Sequence, residues 1–101
     1  MEDLVLARSY VNKANSSRDR GIKFSLSLKR YKQLRKTKRC YFTGKLLDKG
    51  NFSIDRVNNE EGYTDTNSVA CDLEFNQKKK DLTAAEITAM YKALVRKGVV
   101  K

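Results

Sequence analysis

Seven side chains with hard oxygen donors crowd the stretch between residues 55 and 76: Asp55, Asn58, Asn59, Asp65, Asn67, Asp72 and Asn76. Carboxylate and amide oxygens suit Mg²⁺, which keeps several of its waters and needs only one or two protein ligands. At a phosphate, such an ion neutralises charge and stabilises a leaving oxygen. The chain contains no histidine. The side chain whose ordinary pKa lies nearest neutrality is therefore missing from the possible general bases. Cys40 and Cys71 are the only cysteines, and neither has a second Cys or His two to four residues away. That spacing speaks against structural zinc, which wants four such ligands in close pairs. Two isolated cysteines in a cytosolic chain predict small buried side chains, not a disulfide framework.

The charge is unevenly placed. Residues 1–50 hold 14 Lys/Arg against 4 Asp/Glu, whereas residues 51–101 hold 8 of each, so the net +10 lies in the first half. A one-sided basic field draws a polyanion and speeds its encounter. Nucleic acid is the expected one. Mere solubility does not need the charge gathered in one half. No apolar run approaches the ~20 residues that cross a bilayer, and residues 1–20 lack the pattern of a signal peptide. A cytoplasmic protein is expected, in the host bacterial cytoplasm if phage-encoded, with no membrane partner. At 101 residues the chain is expected to be one domain with a modest core.

The elements that must position these groups follow from periodicity. Leu4, Ala7, Val11 and Ala14 make one apolar face of a helix over residues 3–15 that can extend through Arg20, with Gly21 as its stop. Ser25 or Ser27 can cap a second helix. Its stripe is Leu28, Tyr31 and Leu34, and Lys29, Arg30, Lys32, Arg35, Lys36, Lys38 and Arg39 surround it with no acid between them. A solvated face normally mixes signs, so residues 29–39 are the first choice for phosphate contact. Residues 39–42 read as a short strand, Thr43-Gly44 as a turn, and Phe52 to Val57 as a strand with Asp55 off its apolar face. A hairpin is therefore expected over 39–57. Residues 58–62 read as a loop, and Thr66 or Asn67 as the N-cap of a helix over 68–79. Thr83-Ala84-Ala85-Glu86 is a capping box opening a last helix over 84–97, with Ile87, Met90, Tyr91, Leu94 and Val95 as its apolar face and Gly98 as its stop. The expected class is α+β.

In order along the chain stand Cys40-x-x-Thr43-Gly44, Asp55-Arg56, Gly62-Tyr63-Thr64, Asn67 and Asn76-x-x-Lys79. This ordered set resembles the HNH (ββα-metal) endonuclease superfamily in its small, zinc-free phage and homing-endonuclease-like form. The resemblance extends to residues 24–28 and to the closing Asp81-Leu82-Thr83 helix. It implies a single HNH-like domain over residues 1–101, with a basic helical part at 1–38, a ββα core at 39–80 and a C-terminal helix at 81–101. It also implies a DNA endonuclease that hydrolyses phosphodiester bonds in duplex DNA with Mg²⁺ or Mn²⁺. On that resemblance Asp55 and Asn76 are the metal ligands, Asn67 holds the loop, and Arg56 touches the scissile phosphate. Lys29 to Arg39, with Lys78 and Lys79, grip the DNA backbone.

Arg56 stands where the family carries its catalytic histidine. A guanidinium does not give up its proton in proteins. Catalysis would then fall to Tyr63, to Glu60 or Glu61, or to a metal-bound hydroxide. The other class of function is a catalytically silent HNH-fold module that binds DNA or a host or phage protein as regulator or inhibitor. An RNA-binding role is weaker, because nothing resembles an aromatic stacking platform.

Overall fold

The computed structural model describes residues 3–100. Over these residues the chain is α+β, with four helices and one two-stranded antiparallel sheet. Helix α1 spans Asp3–Asp19 and α2 spans Leu28–Arg35. Strands β1 (Phe52–Arg56) and β2 (Ser68–Asp72) form the sheet. Helix α3 (Leu73–Lys79) follows β2 directly, and α4 spans Ala84–Arg96. No helix among the described residues is long and apolar enough to cross a membrane.

Helix α1 stops as expected, with Gly21 at φ +69°. Ser27 caps α2, its hydroxyl accepting from the Arg30 N–H at 3.1 Å. This satisfies one of the donors that a helix start leaves open. The basic helix is shorter than residues 29–39. It ends at Arg35 because the Thr37 hydroxyl and the Lys36 N–H both take the Gln33 carbonyl, and the chain then turns.

The sheet corrects two expectations. Residues 39–42 form no strand: their only ladder contact is the isolated bridge Arg39 to Leu46, with one further backbone bond from Tyr41 N–H to the Ala70 carbonyl at 2.9 Å. Gly44, at φ +75°, folds the chain back within a few residues, and Cys40 N–H meets the Lys45 carbonyl at 2.8 Å. The reversal stops at one bridge, made by this bond and by Leu47 N–H to the Lys38 carbonyl at 2.8 Å. Instead β1 pairs with β2 across the 57–67 loop, in the register Phe52 to Asp72, Ile54 to Ala70 and Arg56 to Ser68. The run 68–72 is therefore strand, not helix. All five of its residues are buried, so it lacks the polar alternation that marks a half-exposed strand. The N-cap of α3 is Asp72, not Thr66 or Asn67: its carboxylate accepts from the Phe75 N–H at 3.1 Å.

Core side chains come from α1, α2, both strands and the links between them. Leu6, Leu26, Tyr31, Leu34, Ile54, Tyr63 and Ala70 form one buried cluster, with Tyr10, Ile22, Phe24, Leu47 and Phe52 packed against it. Tyr10 stands edge-on to both Phe24 and Tyr31, and its hydroxyl donates to the Leu26 carbonyl at 2.6 Å. Tyr31 also shares a hydrogen bond with Ser9 of α1. The link before α2 is tied to the site loop by a parallel bridge between Phe24 and Tyr63. Tyr63 N–H donates to Lys23 O at 2.9 Å, and Ser25 N–H to Tyr63 O at 2.8 Å. Gly62 permits this approach, since a Cβ there would lie 2.4 Å from the Lys23 carbonyl oxygen. The capping box of α4 forms in full, Thr83 with Glu86, but no residue of that helix is buried. Its apolar face stays in solvent, with Met90 and Tyr91 exposed.

Candidate functional site

Alternation along β1 puts Ser53 and Asp55 on one face of the strand. Helix α3 lies along that face and meets it with two side chains three residues apart. Asn76 Nδ2 donates to Ser53 Oγ at 3.2 Å, and Lys79 Nζ stands 3.0 Å from Asp55 Oδ2. The two metal-ligand candidates, Asp55 and Asn76, are thus held by adjacent contacts between one strand and one helix.

Asp55 is buried, with 8% of its surface exposed. Its Oδ1 accepts from the Arg56 N–H at 2.8 Å. Its Oδ2 faces the Lys79 ammonium as an ion pair but receives no well-aligned hydrogen bond. Lys79 gives its aligned bond to the Arg56 carbonyl at 2.8 Å. Lys79 is itself buried, and its ammonium lies 5.6 Å from the centre of the Phe42 ring. The expected place of Lys79 on an exposed DNA-gripping surface is corrected by this burial. Lys78 does point outward, where it pairs with Glu74 at 3.3 Å.

Asn67 does what a loop-holding amide should. Its Oδ1 accepts from the Asn58 N–H at 3.0 Å, and its Nδ2 donates to the carbonyls of Asn58 and Gly62 at 3.0 and 2.9 Å. One buried side chain therefore satisfies three backbone groups of the 57–66 loop. Arg56 braces the same loop from the other side: its Nη1 donates to the carbonyls of Asn59 and Glu61 at 2.9 and 3.0 Å. Its guanidinium also lies 5.4 Å from the centre of the Tyr63 ring. Tyr63 is buried, and its hydroxyl accepts from Lys13 Nζ at 3.1 Å.

The remaining oxygen-rich residues have structural partners. Asp65 accepts from the Ser27 N–H and hydroxyl at 2.7 and 2.9 Å. Those two bonds hold its carboxyl below the usual range. Asp72 caps α3 and accepts from Asn51 Nδ2 at 3.0 Å, with Lys45 at 3.6 Å. Burial works to raise its pKa, but the Phe75 N–H, the Asn51 amide and Lys45 outweigh it and hold the carboxyl low. Asn58 and Asn59 belong to the loop, through the Glu60 N–H and the Lys80 carbonyl respectively. Across β1 and α3, Asn76 meets Ser53 and Asp55 meets Lys79, one residue pair further along each element.

Among the expected phosphate contacts, Lys29, Lys36, Lys38 and Arg39 are exposed, with Arg39 Nη1 donating to the Gly44 carbonyl. Arg30 is half-buried and ties α2 to the Asp65 carbonyl at 3.2 Å. Arg35 lies 4.4 Å over the Phe52 ring. With Lys32, Lys36, Thr37, Leu47, Asp48 and Lys49 it lines a cleft of about 410 Å³ between α2 and the turn before β1. Two features escape sequence reasoning. Ser53 anchors Asn76, and its signal is the two-residue step from Asp55 along a strand. Lys79 is the counter-charge of Asp55, and its signal is the three-residue step from Asn76 along one helix face.

Cys40 and Cys71 lie against one another, both buried, with the sulfurs 3.9 Å apart. Burial alone would raise the Cys40 pKa. Hydrogen bonds from the Thr43 hydroxyl and from the backbone at Asp72, Thr43 and Phe42 outweigh it and bring the thiol down to about 7. Cys71 goes the other way, pushed up to about 12 by burial, by Cys40 and by the nearby carboxylates Asp55 and Asp72.

Among the described residues no three His, Cys, Asp or Glu side chains cluster so as to hold a metal ion. A cation at this site would rest on the Asp55 carboxylate and the Asn76 amide oxygen. No family model matches the chain, and no solved structure matches it. The chain is 43% identical over 74 residues to an uncharacterized protein of Acanthamoeba polyphaga mimivirus. That match covers 72% of this chain and 14% of the viral protein, so the chain spans about one seventh of the relative's length.

Proposed function

We propose that residues 52–79 are an HNH-type ββα unit and that the chain is a divalent-cation-dependent endonuclease acting on duplex DNA. One observation supports this reading: strand, Asn67-pinned loop, strand and helix set α3 against the β1 face that carries Asp55, with Asn76 on Ser53 and Lys79 on Asp55. The donor set fits Mg²⁺ or Mn²⁺. Both groups offer hard oxygens, and such an ion needs few protein ligands. Asp55 Oδ2 is also a buried oxygen whose one partner is the Lys79 ammonium at 3.0 Å, with no aligned hydrogen bond, so a cation there would compete with that ammonium. When bound, the ion would neutralise the scissile phosphate and stabilise the leaving oxygen. The chain's own residues set the stage. Asn67 and Arg56 fix the loop, Lys79 balances the Asp55 charge in the ion-free state, and the exposed lysines of residues 29–38 hold the DNA backbone. Arg56 adds positive charge for a phosphate but cannot take a proton.

A second reading has its own observation. The Lys79 ammonium already stands 3.0 Å from Asp55 Oδ2. There the ammonium serves in place of a metal ion, and the unit binds DNA or a host or phage protein without cutting. Nicking of supercoiled plasmid, with Mg²⁺, Mn²⁺ or EDTA, separates the two. The nuclease reading expects metal-dependent nicking by the wild type and none by Asp55→Ala or Asn76→Ala. It expects Arg56→His to match or exceed the wild type, because a neutral-pH base is restored. Wild-type protein that binds DNA yet never nicks it leaves the silent reading standing.

A further inference from the structure

We infer that Cys40 and Cys71 are a dithiol that a peroxide-class oxidant converts into an intrachain disulfide. The sulfurs are 3.9 Å apart although the residues are 31 apart in sequence. Their backbones are neighbours too, since Tyr41 N–H donates to the Ala70 carbonyl at 2.9 Å. That bond joins the residue after Cys40 to the residue before Cys71, so the two cysteines are adjacent in backbone as well as in sulfur position. A disulfide spans about 4.4–6.8 Å between Cα atoms. The sulfurs, already in contact at 3.9 Å, have about 2 Å to close to reach the S–S bond length.

The two sulfurs are chemically unlike, as a reacting pair should be. Cys40 is the acidic partner, and the thiolate is the nucleophile. Cys71 keeps its proton. Cys40 runs straight into the turn 41–44, whose four residues are all exposed, so a small oxidant has a short path.

The steps balance. The Cys40 thiolate attacks one oxygen of hydrogen peroxide; an S–O bond forms, the O–O bond breaks, and the departing hydroxide takes up the proton that Cys40 had released. The result is a sulfenic acid and one water. Cys71 then attacks the Cys40 sulfur. The S–S bond forms, the S–O bond breaks, and the leaving hydroxide takes the Cys71 proton as a second water. Two thiols lose two electrons and two protons, and the peroxide becomes two waters.

The bond would tie the 40–47 turn to β2 beside the candidate site. The turn carries Phe42, whose ring lies 5.3 Å from Phe75 of α3 and 5.6 Å from Lys79 Nζ. Cys71 itself lies across the sheet from Ser53, whose hydroxyl donates to the Cys71 carbonyl at 2.9 Å. The inference stands on the thiol geometry and does not depend on the nuclease reading.

The test is a thiol count by intact mass. Reduced protein, unfolded and alkylated, should take two labels. After native protein is treated with hydrogen peroxide it should take none and remain monomeric, and prior reduction should restore both. In Cys71→Ser, where no resolving thiol remains, a 1,3-dione should trap a sulfenic acid on Cys40. Two labels on the peroxide-treated wild type, under conditions that oxidise glutathione in the same tube, would overturn the proposal. So would a disulfide found only between chains. The wild-type measurement decides the matter even where a variant fails to fold.

Discussion

Lys79 carries a charge into the interior to meet Asp55, and that pair governs what the site can do. Its ammonium has two oxygen partners, Asp55 Oδ2 and the Arg56 carbonyl. Removing one partner of a buried ion pair leaves the other charge stranded, at a cost of about 3–5 kcal/mol. Lys79→Met should therefore lower the urea-unfolding free energy by about 3 kcal/mol, with Asp55 now unpaired. If Asp55 and Asn76 hold a cation, Mn²⁺ should bind that variant more tightly than wild type, because the competing ammonium is gone. Ligand at about 100 times its Kd would return about 2.7 kcal/mol. A variant as stable as wild type without metal would show that the pair is not formed. Asn67 is legible from its type: an amide can serve donor and acceptor groups together, as its three backbone bonds do. Lys79 is not legible in the same way. A run of three lysines has the look of a solvated face, and the three-residue step from Asn76 that marks Lys79 gains its meaning only once α3 packs on β1.

Among the elements, local signals locate α1, α2 and α4 and fail at the sheet and at the start of α3. The cap at Ser27, the box at Thr83 and the stop at Gly21 each act within one turn of backbone, so the sequence carries them directly. Strand β2 has no such signal. Buried on both faces, it shows neither alternation nor a helical stripe, and its identity is set by β1 lying beside it. The loop joining the strands depends on a close approach at Gly62. Gly62→Ala would drive a Cβ to 2.4 Å from the Lys23 carbonyl oxygen. Forcing such a contact apart should cost about 1–3 kcal/mol and loosen the bridge between Phe24 and Tyr63. Urea denaturation measures the loss, and amide exchange at Tyr63, whose N–H is held by Lys23, reports the bridge. Wild-type stability with Tyr63 still protected would mean that the loop has room to spare.

Over the whole molecule the basic excess belongs to the N-terminal half, and the oxygen donors to the C-terminal half. On the proposed reading, binding and chemistry belong to different segments and can be separated by mutation. Lys29, Lys36 and Lys38 are exposed. Each phosphate left un-neutralised by a substitution should flatten the slope of log K against log salt by about 0.9. Replacing all three lysines by Ala should flatten it by up to about 2.7 for a duplex and leave the unfolding free energy nearly unchanged. A slope that does not move would place the contact surface elsewhere, with Lys78 and Lys80 next to be tested.

Composition, spacing and backbone chemistry within a few residues are enough to set the α+β class, the charge asymmetry, helices α1, α2 and α4, and the residues able to ligate a hard cation. They do not say which strands pair, that Asp72 and not Asn67 starts α3, that Lys79 neutralises Asp55, or that Cys40 touches Cys71. Each of these is a contact between segments distant in the chain or a choice between local alternatives of similar propensity. Such choices are made by burial and by the need to pair every buried polar group, and neither exists until the chain has closed on itself.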